Sequence, residues 1–211
     1  MNARRFDFAD RLLGELDKAI KVLSAPARAS RALATAPPEA LEEPRRAESA
    51  RMMRVNHAGE VAAQALYHGQ ALTARDPAVA AAMLQAAAEE NDHLAWCELR
   101  LKELKGRPSL LNPVWYVGSF AIGAAAGLLG SEANLGFVAE TERQVEAHLR
   151  GHMERLGGVD ERSLRILERM THDEMAHGAK AASLGGKDLP AAAVAAMRLT
   201  ARVMTFGSYW L

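Results

Sequence analysis

Six residues in a duplicated pattern are equipped to do chemistry. Glu60 is followed by Glu90-Asn91-Asp92-His93, and Glu142 by Glu174-Met175-Ala176-His177. Glu-x-x-His on a helix places both side chains on one face about a turn apart, where they can grip a single cation. Two such pairs and two further glutamates offer four carboxylates and two imidazoles. Four carboxylates offset the charge of two divalent cations, which makes burial of the cluster tolerable. Six protein ligands spread over two metals leave coordination positions open, as redox chemistry with dioxygen requires. Imidazole with carboxylate suits iron or manganese better than calcium or magnesium. A single Glu-x-x-His arises often by chance; the repeat with two partner glutamates predicts a dinuclear metal site at Glu60, Glu90, His93, Glu142, Glu174 and His177.

The elements that position these residues can be read from the turns between them. The midpoint of Glu60 and Glu90 is residue 75, beside Asp76-Pro77, a helix start with Asp as N-cap and Pro at N1. The midpoint of Glu142 and Glu174 is residue 158, inside Gly157-Gly158, which stops one helix before Asp160 caps the next. Folding each half back on its turn brings its glutamates to one height in an antiparallel helix pair. Helices are expected from about Ser49 to Arg75, Pro77 to Lys105, through Glu142 to Leu156, Asp160 to about Leu184, and Pro190 to Phe206. Ahead of them, Phe6 to Leu23 carries Phe8, Leu12, Leu13, Leu16, Ile20 and Leu23 at helical spacing. Residues 24–47, with Pro37-Pro38 and Pro44, read as a linker. No stretch alternates as a strand does. The expected fold is all-α: a four-helix bundle with the ligand pattern of ferritin-like di-iron and di-manganese carboxylate proteins, plus extra N-terminal, interfacial and C-terminal helices. The chain divides into residues 1–48, an amphipathic helix and flexible linker, and 49–211, the metal-binding bundle domain.

Neighbouring groups compete for some roles. Glu142 has rivals in Glu140 and in Glu146, one turn further along the same face; equal height with Glu174 favours Glu142. Glu89 and Asp173 each stand four residues before a ligating histidine and could accept from imidazole N–H groups, the case being stronger for Asp173. His57 reads as an ordinary helix histidine, His148 is open, and Cys97 reads as a small core residue.

Composition narrows the class. At 211 residues the chain can bury a real core. Apolar residues make up 49 % and aromatics only 5 %, which favours packed helices over a sandwich or barrel. Lys+Arg 26 balances Asp+Glu 26, so no global field draws the chain to nucleic acid. A single cysteine excludes an internal disulfide. Met1 to Lys18 carries Asp7, Asp10, Glu15 and Asp17 and lacks an apolar core, unlike a secretory signal, so the protein is expected to stay in the cytoplasm.

Pro113 to Gly130 holds no charged residue. Its length admits a membrane span, and Gly123-x-x-x-Gly127 permits close helix contact. One span, however, would set Glu142 two or three turns beyond the membrane and split the bundle. An interfacial helix fits better, with Trp115 and Tyr116 at headgroup level and Phe120 and Leu128 facing lipid. A buried core helix is the plainer alternative.

His57-Ala58-Gly59-Glu60, the Glu90-x-x-His93 helix, the Trp115–Gly130 segment, Glu140-Thr141-Glu142 and Asp173-Glu174-x-x-His177 resemble the demethoxyubiquinone hydroxylase family of ubiquinone biosynthesis over roughly residues 49–210. The resemblance implies a ferritin-like bundle with a non-haem centre of two iron ions, manganese being the alternative. It implies hydroxylation of the ring of a membrane-embedded demethoxyubiquinol, one oxygen of dioxygen entering the ring and the other leaving as water. All six ligand positions carry the required residue types. As partners it implies dioxygen, the quinol and a membrane surface, without nucleic acid, and it leaves open a homo-oligomer or a ubiquinone-biosynthesis complex. The implied location is peripheral, on the cytoplasmic side of the cell membrane. No G-x-G-x-x-G opens a helix after a strand, so electrons would arrive from outside the chain, with the quinol as the expected carrier. Two other readings share features with this one. A ferritin-like ferroxidase or peroxidase would use the same ligands but not the uncharged segment. A helical membrane adaptor would leave the Glu and His residues solvated.

Overall fold

A computed structural model of the chain describes residues 8–33 and 40–211. Seven helices account for the regular structure among them: α1 (Phe8–Ser24), α2 (Glu43–Thr73), α3 (Pro77–Glu103), α4 (Asn112–Leu128), α5 (Ser131–Leu156), α6 (Glu161–Ser183) and α7 (Ala191–Trp210). The two hairpins α2–α3 and α5–α6 face each other as a four-helix bundle. The expected stops hold. Asp76 accepts from Ala78 N–H at 2.8 Å with Pro77 behind it, Gly157 ends α5, Gly158 turns with φ 70°, and Asp160 accepts from Ser163 N–H at 2.9 Å. Asp160 is buried, and Arg100 from α3 reaches it at 2.6 Å, pinning the end of one hairpin to the start of the other.

Two apolar layers fill the bundle. One joins Met52, Met53, Trp96, Cys97, Leu101, Leu149, Ile166, Leu167 and Met170; the other joins Tyr67, Val79, Met83, Leu135, Val138 and Ala181. On every bundle helix the six chemistry-bearing residues fall between the two layers: Glu60 between Met53 and Tyr67, Glu142 between Val138 and Leu149. The layers exclude water from the middle of the bundle and leave the polar cluster there. Cys97 is buried with its Sγ 3.8 Å from Met170 Sδ, a core residue as expected.

The uncharged segment forms α4, which lies across α2 at very close range. A Cβ at Gly123 would meet the Leu66 carbonyl, one at Gly69 the Phe120 carbonyl, and one at Gly127 Thr73 and the Gln70 carbonyl. Only glycine admits this approach, and Thr73 Oγ1 seals it by donating to the Ala124 carbonyl at 2.8 Å. No described helix is long and apolar enough to cross a membrane. Half of α4 is core and half is open: Tyr116, Gly123 and Ala126 are buried, while Val114, Val117 and Leu128 are exposed. Phe120, expected on the outer face with Leu128, instead packs partly buried against Val61, Ala65, Leu94 and Tyr116.

Differences from the expected elements lie mostly at the N-terminus. Helix α2 begins at Glu43, inside the stretch read as linker, with Pro44 in its first turn where a missing N–H costs nothing. Residues 27–31 hydrogen-bond to α3. Phe6 and Pro37-Pro38 lie outside the described residues. On α1, Ala19, Val22 and Leu23 face the core, whereas Leu12, Leu13, Leu16 and Ile20 point outward.

Candidate metal centre

Glu60 comes from α2, Glu90 and His93 from α3, Glu142 from α5, and Glu174 and His177 from α6. The fold brings all six together. Glu60, Glu90, His93 and Glu174 form one group and Glu90, Glu142, Glu174 and His177 a second, the offered atoms of each group lying within 4.8 Å of one another. Glu90 and Glu174 belong to both groups and so stand where bridging carboxylates would. His93 Nδ1 lies 2.8 Å from Glu90, 3.3 Å from Glu174 and 3.7 Å from Glu60; His177 Nδ1 lies 3.2 Å from Glu90 and 3.5 Å from Glu174.

The outer nitrogens of the imidazoles are held crosswise. His93 Nε2 donates to Asp173 of α6 at 3.1 Å, and His177 Nε2 donates to Glu89 of α3 at 2.6 Å. Each acid therefore serves the histidine of the opposite hairpin, although each precedes the histidine of its own by one turn. With its outer nitrogen fixed on a carboxylate, each imidazole aims Nδ1 into the cluster.

Electrostatics describe a site built for positive charge. Burial, with Glu90 and Glu174 adding repulsion, raises the Glu60 carboxyl; burial and Glu174 raise Glu142. Burial would raise Glu90 as well, but His93 and His177 beside it hold it below the usual carboxylate range. Burial disfavours charge on both histidines, yet the surrounding carboxylates win, raising His93 and pushing His177 up to about 11. With protein groups alone, protons must supply the cation charge. Glu142 Oε1, Glu174 Oε2 and His177 Nδ1 are buried without a hydrogen bond despite their charged neighbours. Orphaned ligand atoms offered from α5 and α6 fit bound cations, and four carboxylates with two imidazoles match two divalent metals of the iron or manganese type.

These shifts set a pH dependence for the metal-free chain. Glu60 and Glu142, whose ordinary value is 4.5, keep protons in the folded chain at pH values where the unfolded chain has lost them. Their contribution to stability therefore falls as pH rises above about 4.5. His177, raised from 6.5 to about 11, extends the same slope upward, and His93 acts in the same direction. Glu90 and Asp173 are lowered, so their contributions are lost only on acidification. Buried His57, His68, His148 and His152 are lowered and give the opposite slope below about pH 6.5. Calorimetry should therefore show the Tm of metal-free protein falling between about pH 7 and about pH 9, with metal-loaded protein flatter because metal binding replaces the protons of the cluster. A metal-free Tm that climbs over this range contradicts the assigned shifts.

The competing residues sort clearly. Glu140 pairs with Arg143 at 2.6 Å and Glu146 with Arg150 at 2.8 Å, both outside the cluster. Glu146→Ala should accordingly cost at most about 1 kcal/mol of stability, the range of an exposed pair, and leave metal content intact. Glu142→Ala should lower metal content; the opposite ranking in an elemental assay means the wrong carboxylate was assigned. His57 turns away from the cluster, lies 3.4 Å from Asn112 of α4, and is lowered to about 4 by burial. His148, also lowered to about 4 by burial, packs against His152 with ring centroids 4.1 Å apart and the rings tilted by 59°.

A cavity of about 390 Å³ opens onto the cluster, its wall including Glu60, Glu142 and Glu174. Val55, Gly59, Ala63, Val145 and Leu149 make much of it apolar, His148 faces it, and Arg198, Arg202 and Met204 of α7 close its outer side. The α7 contribution was not foreseen, since nothing in its sequence pattern points to a site. Asp92 and Arg31 were also missed; Asp92 sits inside the first Glu-x-x-His and could have drawn notice there.

A bundle of two facing hairpins with carboxylates and imidazoles at its centre defines a ferritin-like protein with a buried metal-type cluster. A solved structure from Bacteroides fragilis, a dodecameric thioferritin described as bacterioferritin-related, matches it with a TM-score of 0.56 at 17 % identity, over 87 % of this chain and 98 % of the other. Within that class, the family model of ubiquinone biosynthesis protein COQ7 matches residues 47–208, and this chain belongs to that family. A relative from Bordetella pertussis named 3-demethoxyubiquinol 3-hydroxylase is 54 % identical, with 99 % of this chain and 95 % of the relative covered. Another of the same name from Nitrosospira multiformis is 53 % identical, covering 96 % and 98 %.

Proposed function

We propose that this protein is a di-iron monooxygenase that hydroxylates the ring of a polyprenylated demethoxyubiquinol in ubiquinone biosynthesis. The cavity that reaches Glu60, Glu142 and Glu174 carries this reading, because it gives an organic ring access to the cluster. Glu60, Glu90, His93 and Glu174 would hold one ion, and Glu90, Glu142, Glu174 and His177 the other. When bound, the two irons supply the electrons and the activation that dioxygen needs to hydroxylate an electron-rich ring. The chain supplies the rest. Apolar walls take the ring out of water, Gly59 leaves its side of the wall open, and the apolar layers above and below the cluster exclude bulk solvent. Asp173 and Glu89 hold the imidazoles in one tautomer and orientation. The relatives named for this activity, aligned over nearly their whole length, support the substrate assignment.

The isoprenoid tail and the chain's outer surface suit each other. Apart from Leu84, Leu99, Met175 and Leu184, every exposed large apolar side chain among the described residues lies on or beside α1, α4 or α7. Helix α4 touches both others, through Val22 and Leu23 on one side and Trp115 to Ser208 at 3.0 Å on the other. A face of a few hundred Å² stabilises lipid association by several kcal/mol at about 25 cal/mol per Å². We propose that the protein sits peripherally on the cytoplasmic side of the cell membrane and collects its substrate from the bilayer, a reading that these exposed apolar faces support.

Two assays test these readings. Iron-loaded protein should hydroxylate a short-tailed demethoxyquinol; oxygen consumption that needs only ferrous iron and ignores quinol would favour the ferroxidase reading. Val117→Asp with Leu128→Asp should weaken co-sedimentation with neutral liposomes in high salt. The same pair should depress turnover of long-tailed quinol more than of short-tailed. Equal loss on both substrates contradicts lipid docking through α4.

A further inference from the structure

Between α1 and α2, residues 25–33 lie along α3 as a strap. Ala27 N–H donates to Glu98 at 3.0 Å, Asn91 Nδ2 donates to the Arg28 carbonyl at 2.7 Å, and Ser30 N–H donates to Asp92 at 2.5 Å. The strap delivers Arg31 to the seam between α3 and α6. There Nε donates to Asp92 Oδ2 at 2.5 Å and Nη1 lies 2.9 Å from Asp173 Oδ2. That Asp173 oxygen is the acceptor for His93 Nε2. The guanidinium also covers the Trp96 ring, 5.3 Å from its centroid, and Trp96 lies 5.4 Å from the His93 ring. One planar cation therefore braces the outer side of His93 through a carboxylate and an indole together. Arg169 also contacts Asp173, at 3.2 Å, but from the same helix, so it cannot tie α6 to α3.

We propose that Arg31 is a positioning residue for the His93 half of the metal centre, joining Asp92 to Asp173 so that Asp173, and through it the His93 imidazole, keeps the orientation that retains the ion. The inference rests on the di-iron reading above. Asp92 adjoins His93 in sequence and Asp173 adjoins Glu174, so a clamp between these two acids fixes the spacing of the ligands beside them. A guanidinium suits the task because its rigid fork meets two carboxylates at once, which an ammonium on a flexible stem cannot.

The test loads full-length protein anaerobically with ⁵⁷Fe(II), records Mössbauer spectra, and follows iron transfer to a ferrous chelator. In Arg31→Ala, one of the two ions should leave about 10–100-fold faster, the usual cost of losing an outer partner, and one of the two ferrous doublets should shift. Arg31→Lys should fold and lie between Ala and wild type, and it carries the test if the Ala variant does not fold. Asn91→Ala removes a strap contact at Arg28 without touching Asp173, and should leave both doublets unchanged. Wild-type release with unaltered doublets in Arg31→Ala overturns the proposal, as does an Asn91→Ala effect equal to that of Arg31→Ala. Failure of the wild-type chain to hold two irons would overturn the di-iron reading itself.

Discussion

Replacing His93 or His177 with alanine will lower bound iron toward half and abolish ring hydroxylation while leaving the helical content near that of the wild type. Each histidine is the single imidazole of one group, and the apolar layers that hold the bundle together do not include either side chain. Loss of an outer partner costs about 10–100-fold in affinity or activity, so removal of a direct ligand should exceed about 100-fold in turnover. The metal-free chain should stay helical because the apolar layers remain, with a lower Tm because the lost imidazolium no longer offsets the buried carboxylates. Circular dichroism, elemental analysis and turnover on the same samples separate these effects. Normal turnover in either variant would falsify the six-residue assignment.

The second large effect concerns the crossing of α4 on α2. Gly123→Val should destabilise the chain by about 3 kcal/mol, the top of the range for overpacking, because the new Cβ falls on the Leu66 backbone and no side chain can move aside. At roughly 2–4 °C per kcal/mol for a chain of this size, the Tm should drop by about 6–12 °C. Gly118, on the same helix, is exposed and a Cβ there meets nothing within 4 Å. Gly118→Ala should therefore leave stability unchanged or raise it by up to about 1 kcal/mol. Equal effects at the two positions would mean that α4 does not sit against α2 as described.

The bundle was legible in the sequence because local chemistry marks its turns and a rigid period marks its faces. Asp76-Pro77, Gly157-Gly158 and Asp160 act within a few residues of themselves, and Glu-x-x-His projects its two ligands one way whatever packs around it. What depends on the rotation of one helix against another was not legible. Asp173 serves His93 and Glu89 serves His177 because the hairpins cross over, a relation between residues some eighty positions apart. In α4, an all-apolar sequence has no polar face to tell inside from outside, so Phe120 and Leu128 look alike although one is packed and the other open. The outward stripe on α1 misleads in the same way, since a core-facing and a lipid-facing helix share one pattern. Pro44 reads as a break when it stands in a first turn, and the short segment carrying Arg31 has no periodicity to reveal that it is anchored.

We propose that two irons held by Glu60, Glu90, His93, Glu142, Glu174 and His177 direct an atom of dioxygen into a quinol ring. Single turnover of anaerobically reduced, iron-loaded protein with a short-tailed demethoxyquinol, started by adding ¹⁸O₂ and followed by mass spectrometry, decides between this chemistry and simple iron oxidation. The expected product is ring-hydroxylated and carries one ¹⁸O atom, in a yield that scales with bound iron and vanishes in the His93→Ala protein. Unmodified quinol recovered while the iron is oxidised, or a product whose new oxygen comes from water, would contradict it.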